Sequence, residues 1–111
     1  MTTTITRAEV REVLGQWQSQ ELSHARVHEW ATARHATTAF ECDDEVTNEI
    51  LAALDNLDVN VTTEADIPYL LKALDCTSAD EASSILASMP FDREERRLRY
   101  SDDPVYSPFL R

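Results

Sequence analysis

A single glycine, Gly15, stands in 111 residues, alongside four prolines, two cysteines and one lysine. So little glycine excludes phosphate-cradling loops, dinucleotide fingerprints and the nucleophile elbow, which need glycine where backbone approaches a ligand or turns sharply. Few glycines and prolines also argue against a loop-rich β-sandwich, whose turns depend on both. Cys42 and Cys76 lie far apart and outside any CxxC or CxxH spacing, so they read as two reduced, buried thiols of a cytoplasmic protein. Long apolar runs are missing too: the longest, Ile50 to Leu54, falls far short of the ~20 residues that span a bilayer. Met1 to Thr6 carry neither a basic start nor an apolar run, so no secretory signal is expected. Nine arginines against one lysine is the balance of a GC-rich bacterial genome.

What the chain has in excess is negative charge. Twenty-one acids face ten bases, for a net charge of -11. Between Glu41 and Glu81 twelve carboxylates oppose Lys72 alone, while each flank is neutral, so the whole net charge sits in the middle third. A hydrophobic content of 42% nevertheless marks a folded chain rather than an acidic disordered tail. One domain is expected over residues 1–111.

Helical periodicity runs through that domain. Thr6-Arg7-Ala8-Glu9 has the form of a capping box, and Val10, Val13, Leu14 and Trp17 follow on one face, predicting a helix from Arg7 to Gln18. Gly15 inside it implies either a close backbone approach or an early end. A second helix is expected from Ser19 or Ser23 to His35, with Leu22, Val27, Trp30 and Ala31 inward, followed by a polar break from Ala36 to Glu41. Asp43 or Asp44 caps a third, in which Val46, Ile50, Leu51, Leu54 and Leu57 form the strongest apolar stripe. Leu57, Val59 and Val61 alternate with polar residues in what reads as an extended loop. A fourth helix opens at Thr63 to Asp66 and buries Ile67, Leu70, Leu71 and Leu74, with Pro68 in its first turn. Ser78 to Glu81 caps a fifth, with Ala82, Ile85, Leu86 and Met89 inward, stopped by Pro90, and Asp92 to Arg99 forms a short sixth. The fold class is therefore all-α: a bundle of five to six short helices with an extended, aromatic and proline-containing C-terminal tail from Ser101. Four of eight aromatics, Phe91, Tyr100, Tyr106 and Phe109, lie late in the chain, so the tail is expected in a groove of its own bundle. The alternative is that Val105, Tyr106, Phe109 and Leu110 dock on another chain.

Residues that could carry chemistry form incomplete sets. His24 and His28 have the i, i+4 spacing that lets two imidazoles share a zinc ion, and Glu21 with His24 forms one Glu-x-x-His unit. They are the weak metal candidates, because His28-Glu29-Trp30-Ala31-Thr32 has threonine where a metalloprotease helix needs its second histidine. Asp58, Asn60, Thr62, Glu64 and Asp66 alternate as calcium ligands do, but Thr63 stands where the loop needs glycine and Tyr69 where it needs glutamate. Cys42 beside Glu41, Asp43 and Asp44 is a poor nucleophile, since like charge disfavours a thiolate. No carboxylate is marked by the sequence as buried, as general acid-base work would require. The one cationic cluster, Arg93, Arg96, Arg97 and Arg99, is interleaved with Glu94 and Glu95 and reads as a salt-bridged helix.

No catalytic residue or cofactor is therefore assigned, nor a nucleic-acid or membrane partner. The leading expectation is a non-enzymatic protein that acts by protein-protein contact. A basic partner would meet an acidic face of Glu41, Asp43, Asp44, Glu45, Glu49, Asp55 and Asp58. In size, acidity and helix content the chain is similar to bacterial immunity proteins and antitoxins that occlude basic nucleases, although no motif carries over residue by residue. The alternatives are a metal-binding bundle or hydrolase using His24 and His28, and a structural homo-oligomer built through the tail.

Overall fold

Helix starts in this chain are set by short oxygen-bearing side chains that accept an otherwise orphaned amide. The computed structural model describes residues 2–35 and 37–110, so Ala36 of the expected polar break and Arg111 of the tail lie outside the described residues. Thr6 accepts from the Glu9 N–H at 3.1 Å ahead of α1 (Arg7–Gln18), and Ser23 from the Arg26 N–H at 3.2 Å ahead of α2 (His24–Arg34). Asp44 accepts from Thr47 at 2.7 Å at the start of α3 (Glu45–Asp55). Thr63 and Asp66 form a reciprocal capping box around a 3₁₀ turn (Glu64–Asp66) that runs into α4 (Ile67–Leu74), with Pro68 in its first turn. Ser78 and Asp92 cap α5 (Ala79–Ala87) and α6 (Arg93–Tyr100).

The chain is a compact, mostly helical bundle. Its middle helices are the centre: α3 meets α1, α2, α4 and α5, and α4 meets α1, α3 and α5. The stripes expected from periodicity are buried where they matter most, with Val10, Val13, Leu14 and Trp17 from α1 facing Val46, Ile50, Leu51 and Leu54 from α3. In α4, Ile67, Leu70 and Leu74 are buried as expected, with Ala73 beside them, while Leu71 is only half-buried. In α5 only Ala82 is fully buried; Ile85, Leu86 and Met89 are half-exposed, which leaves that helix's inner face incompletely covered. The buried indole N–H of Trp17 meets no acceptor, and nothing in the structure explains it.

Two features depart from the sequence expectations. β1 (Thr3–Ile5) and β2 (Phe40–Cys42) form a small parallel sheet, Thr3 opposite Phe40 and Ile5 opposite Cys42, with α1 and α2 as the crossover. Strands of three residues are too short to show a period, so the polar break concealed β2. Residues 56–61 are a run of turns rather than an extended loop, and Val61 lies at φ 51°, a left-handed conformation rarely adopted by a β-branched residue.

Gly15 fits neither expectation placed on it. α1 continues three residues past it, its surface is exposed, and a Cβ built there would meet nothing within 4 Å. Gly15→Ala should therefore stabilise the fold by about 0.5–1 kcal/mol. The check is a rise in urea midpoint with unchanged m-value; a loss of stability would show that the glycine has a partner.

Candidate functional site

Arg96 draws four segments together. Its Nη1 donates to the Val61 carbonyl and to Asp66 Oδ2 at 2.7 Å; its Nη2 donates to Asp66 Oδ1 at 2.9 Å and to the Pro90 carbonyl at 3.2 Å. Both charges are inside, Asp66 3% and Arg96 6% exposed. The hydrogen bond to Asp66 raises the Arg96 pKa against the opposing effect of burial, so the guanidinium is held charged. The sequence reading that no carboxylate was marked as buried is corrected at Asp66. Its partner lies 30 residues away on a helix with no apolar stripe, a pairing that local periodicity cannot show.

The next residue of the strained loop anchors the tail. The Tyr106 hydroxyl donates to the Thr62 carbonyl, and its ring lies 4.8 Å from His24 and 5.0 Å from Tyr100, centroid to centroid. Burial first, and then the neighbouring Tyr100 and Asp103, push the phenol well above its ordinary range, so it remains a donor. Tyr106 and Leu110 fill the chain's own core, Val105 is half-buried and Phe109 stands at the rim of a short 3₁₀ turn (Ser107–Phe109). The tail is thus folded into its own bundle, and Tyr106 and Leu110 present no surface to a second chain.

The histidines are separated rather than gathered. His24 Nε2 meets Asp103 Oδ2 at 2.6 Å, joining α2 to the tail. His28 donates from Nε2 to the Asp55 carbonyl at 3.0 Å, with Asp58 Oδ1 at 3.5 Å, and His35 Nδ1 meets Asp55 Oδ2 at 2.8 Å. Together with Thr32, which donates to Asp55 Oδ1 at 2.7 Å, these side chains dock α2 on the C-terminal end of α3. Among the described residues no group of three or more His, Cys, Asp or Glu side chains stands close enough to hold a metal ion. The alternating oxygens from Asp58 to Asp66 do not converge either: Thr62 and Asp66 point into the fold, while Asp58 accepts from the next amide, Val59.

The seven acids of the expected partner face fall into two groups, because α3 is about 16 Å long and separates its ends. Asp55 and Asp58 lie at the C-terminal end, against the histidines. Glu41, Asp43, Asp44, Glu45 and Glu49 gather at the other, where β2 leads into α3, and an open depression of about 410 Å³ is lined there by Glu41, Cys42, Asp44, Glu45 and Asn48. Asp44 is occupied as the helix cap and by Arg7 at 3.1 Å, whereas Glu41 and Glu45 project into solvent. Burial, then Asp43 and Asp44, raise the Cys42 thiol above its ordinary pKa, so it is no activated nucleophile.

Beside Arg96 the structure opens a second cavity, also of about 410 Å³, absent from the sequence reading. Apolar side chains of α3, α5 and the α5–α6 loop, Ala53, Leu86, Met89 and Phe91, make up much of its walls, Asn60, Thr62 and Ser83 add polar groups, and the buried Asp66–Arg96 pair lies at its base. Phe91 lies 4.8 Å over the guanidinium and is 49% exposed. Nothing in the sequence signalled it, because periodicity placed Ile85, Leu86 and Met89 inward, whereas all three are half-exposed. No family model, curated protein or solved structure matches the chain.

Two predictions follow from these contacts. Arg96→Ala leaves the buried Asp66 charge with only the Thr63 N–H as partner and should cost about 3–5 kcal/mol, whereas Arg96→Met with Asp66→Asn, which removes both charges and keeps an acceptor for that N–H, should recover part of it. Chemical denaturation of the three proteins checks this, and equal losses in single and double variants would contradict it. For pH, burial opposes ionisation of Asp44 and Asp55, but the Thr47 amide and Arg7 for the first, and Thr32 and His35 for the second, outweigh it and lower both pKa values. A carboxyl depressed on folding stabilises above its unfolded value of about 3.9 and loses that contribution as pH falls through the folded value. The urea midpoint should therefore drop below about pH 4, and less steeply in Asp55→Asn.

Proposed function

We propose that the chain is a non-enzymatic, protein-binding module whose acidic surface, where β2 enters α3, engages a basic partner protein and occludes it in the manner of an immunity protein or antitoxin. The single observation that carries this reading is an imbalance of charge pairing: every described arginine meets a carboxylate or a backbone carbonyl, while Glu41, Glu45 and Glu49 at this corner meet no cation among the described residues. Arg7, Arg11 and Arg96 pair with Asp44, Asp75 and Asp66, and Arg26, Arg97 and Arg99 pair with glutamates one turn away on their own helices. Arg34 donates to the Trp30 carbonyl and Arg93 to the Phe109 carbonyl. Glu41, Asp43, Glu45 and Glu49 meet no cation within salt-bridge distance among the described residues, Asp43 accepting only from the Thr47 hydroxyl at 3.1 Å, and Glu41 and Glu45 line the open depression. Such a surface accelerates encounter with a cationic protein and repels nucleic acid.

A direct test is capture from native lysate by the tagged protein at low salt, followed by elution on a salt gradient. One basic protein should elute in stoichiometric amount, and a variant carrying Glu41→Gln, Asp43→Asn, Glu45→Gln and Glu49→Gln should retain about tenfold less. Asp44 is left intact because its loss would uncap α3. Retention indifferent to salt or to the four substitutions would rule the reading out.

A further inference from the structure

The cleft beside Arg96 is built differently from the acidic depression. We propose that it receives one apolar side chain, aromatic or branched aliphatic, from a basic segment of the partner, and that this insertion supplies most of the binding affinity. The inference rests on the basic-partner reading and adds the anchor that surface charge alone lacks.

The occupant's apolar character follows from the walls and the base. Ala53, Leu86, Met89 and Phe91 offer carbon surface, and Phe91 leaves nearly half of its surface in water. Arg96, the one cation among the described lining residues, is spent: its two terminal nitrogens reach Asp66, Val61 and Pro90, and Asp66 takes two of those bonds. An anionic or cationic group entering to the base would have to break that pair. Sites for free small molecules enclose about 70–90% of the ligand surface. This cleft is open on one side, which suits a side chain whose backbone covers the mouth.

The basic character of the segment follows from the rim. Glu45, Glu49 and Ala53 recur every fourth residue along one face of α3, so the two carboxylates stand one and two turns back from the cleft wall. On α5, Asp80 stands one turn before Ser83 and two before Ala87, both of which line the cleft, and adds one carboxylate. Helix α5 directs its C-terminal turn at the cleft and has no basic residue there, so the partial negative charge of that helix end adds to the carboxylates. An apolar anchor in a pocket, ringed by charge that selects the partner, is the usual division of labour at a protein interface.

The experiment selects random dodecapeptides from a display library on the full-length protein at roughly 50 mM salt, where screening length exceeds about 10 Å. Selected peptides should carry Trp, Phe, Leu or Ile within a few positions of Lys or Arg. Ala87→Trp, which fills the cleft from an exposed position, should weaken them at least tenfold, and Phe91→Ala several-fold, with thermal melts confirming that both fold. Glu49→Gln with Asp80→Asn should weaken them a few-fold at 50 mM salt and not at 0.5 M. Basic peptides that bind Ala87→Trp and Phe91→Ala as well as the parent overturn the cleft while leaving the acidic-surface reading intact. Selected peptides without basic residues, or an empty selection, overturn both.

Discussion

A bidentate guanidinium-carboxylate pair is what the C-terminal third of this protein depends on. Helix α6, Arg93–Tyr100, has no apolar stripe: its Leu98 is 76% exposed, and its exposed ion pairs with Glu94 and Glu95 are worth little in water. What attaches it is Arg96, inserted between α4, the 56–61 turns and the loop before α6. Paired buried charges of this kind contribute little net stability compared with well-packed carbon, but they define one arrangement, since any slip would strand a charge. The positive φ of Val61 belongs to the same knot. Its carbonyl is turned to Arg96 and the following carbonyl to Tyr106, so backbone strain at one residue satisfies two donors from distant parts of the chain.

This accounts for which parts of the fold were legible in the sequence. Five caps, at Thr6, Ser23, Asp44, Ser78 and Asp92, and the stripes of α1 and α3 were readable because both depend on residues within one or two turns of each other. Tyr106 is buried in the core, and the late cluster of aromatics was the sequence's sign that such residues need cover. The parallel pairing of β1 with β2, the burial of Asp66 and the turns at 56–61 were not legible. Each is fixed by a partner tens of residues away: Phe40 for Thr3, Arg96 for Asp66, Tyr106 for Thr62. The histidines were visible as one face of α2, but their roles were hidden for the same reason, because Asp55 and Asp103 lie on other segments.

The same distinction applies to the candidate surfaces. Acid density between Glu41 and Glu81 was plain in the sequence, yet helix α3 divides those acids between its two ends, and only the fold separates the employed from the free. Asp55 takes His35 and Thr32, Asp44 caps a helix, Asp66 holds Arg96, and Asp75 pairs with Arg11. What remains is a smaller and more specific patch than composition implied.

Net charge by itself is a weak guide to binding, because it raises the rate of encounter more than it prolongs contact. A protein that held its partner by exposed carboxylates alone would release it as ionic strength rose, since exposed charges more than a Debye length of about 10 Å apart are screened at 0.1 M salt. Lasting occlusion needs apolar area withdrawn from water at a fixed point, and the half-covered inner face of α5 is where this bundle leaves such area open. Complete burial of Leu86 and Met89 would have favoured the isolated chain. On the proposed reading, their partial exposure beside the Asp66–Arg96 pair would set an apolar anchor within two turns of the Glu45 and Glu49 carboxylates.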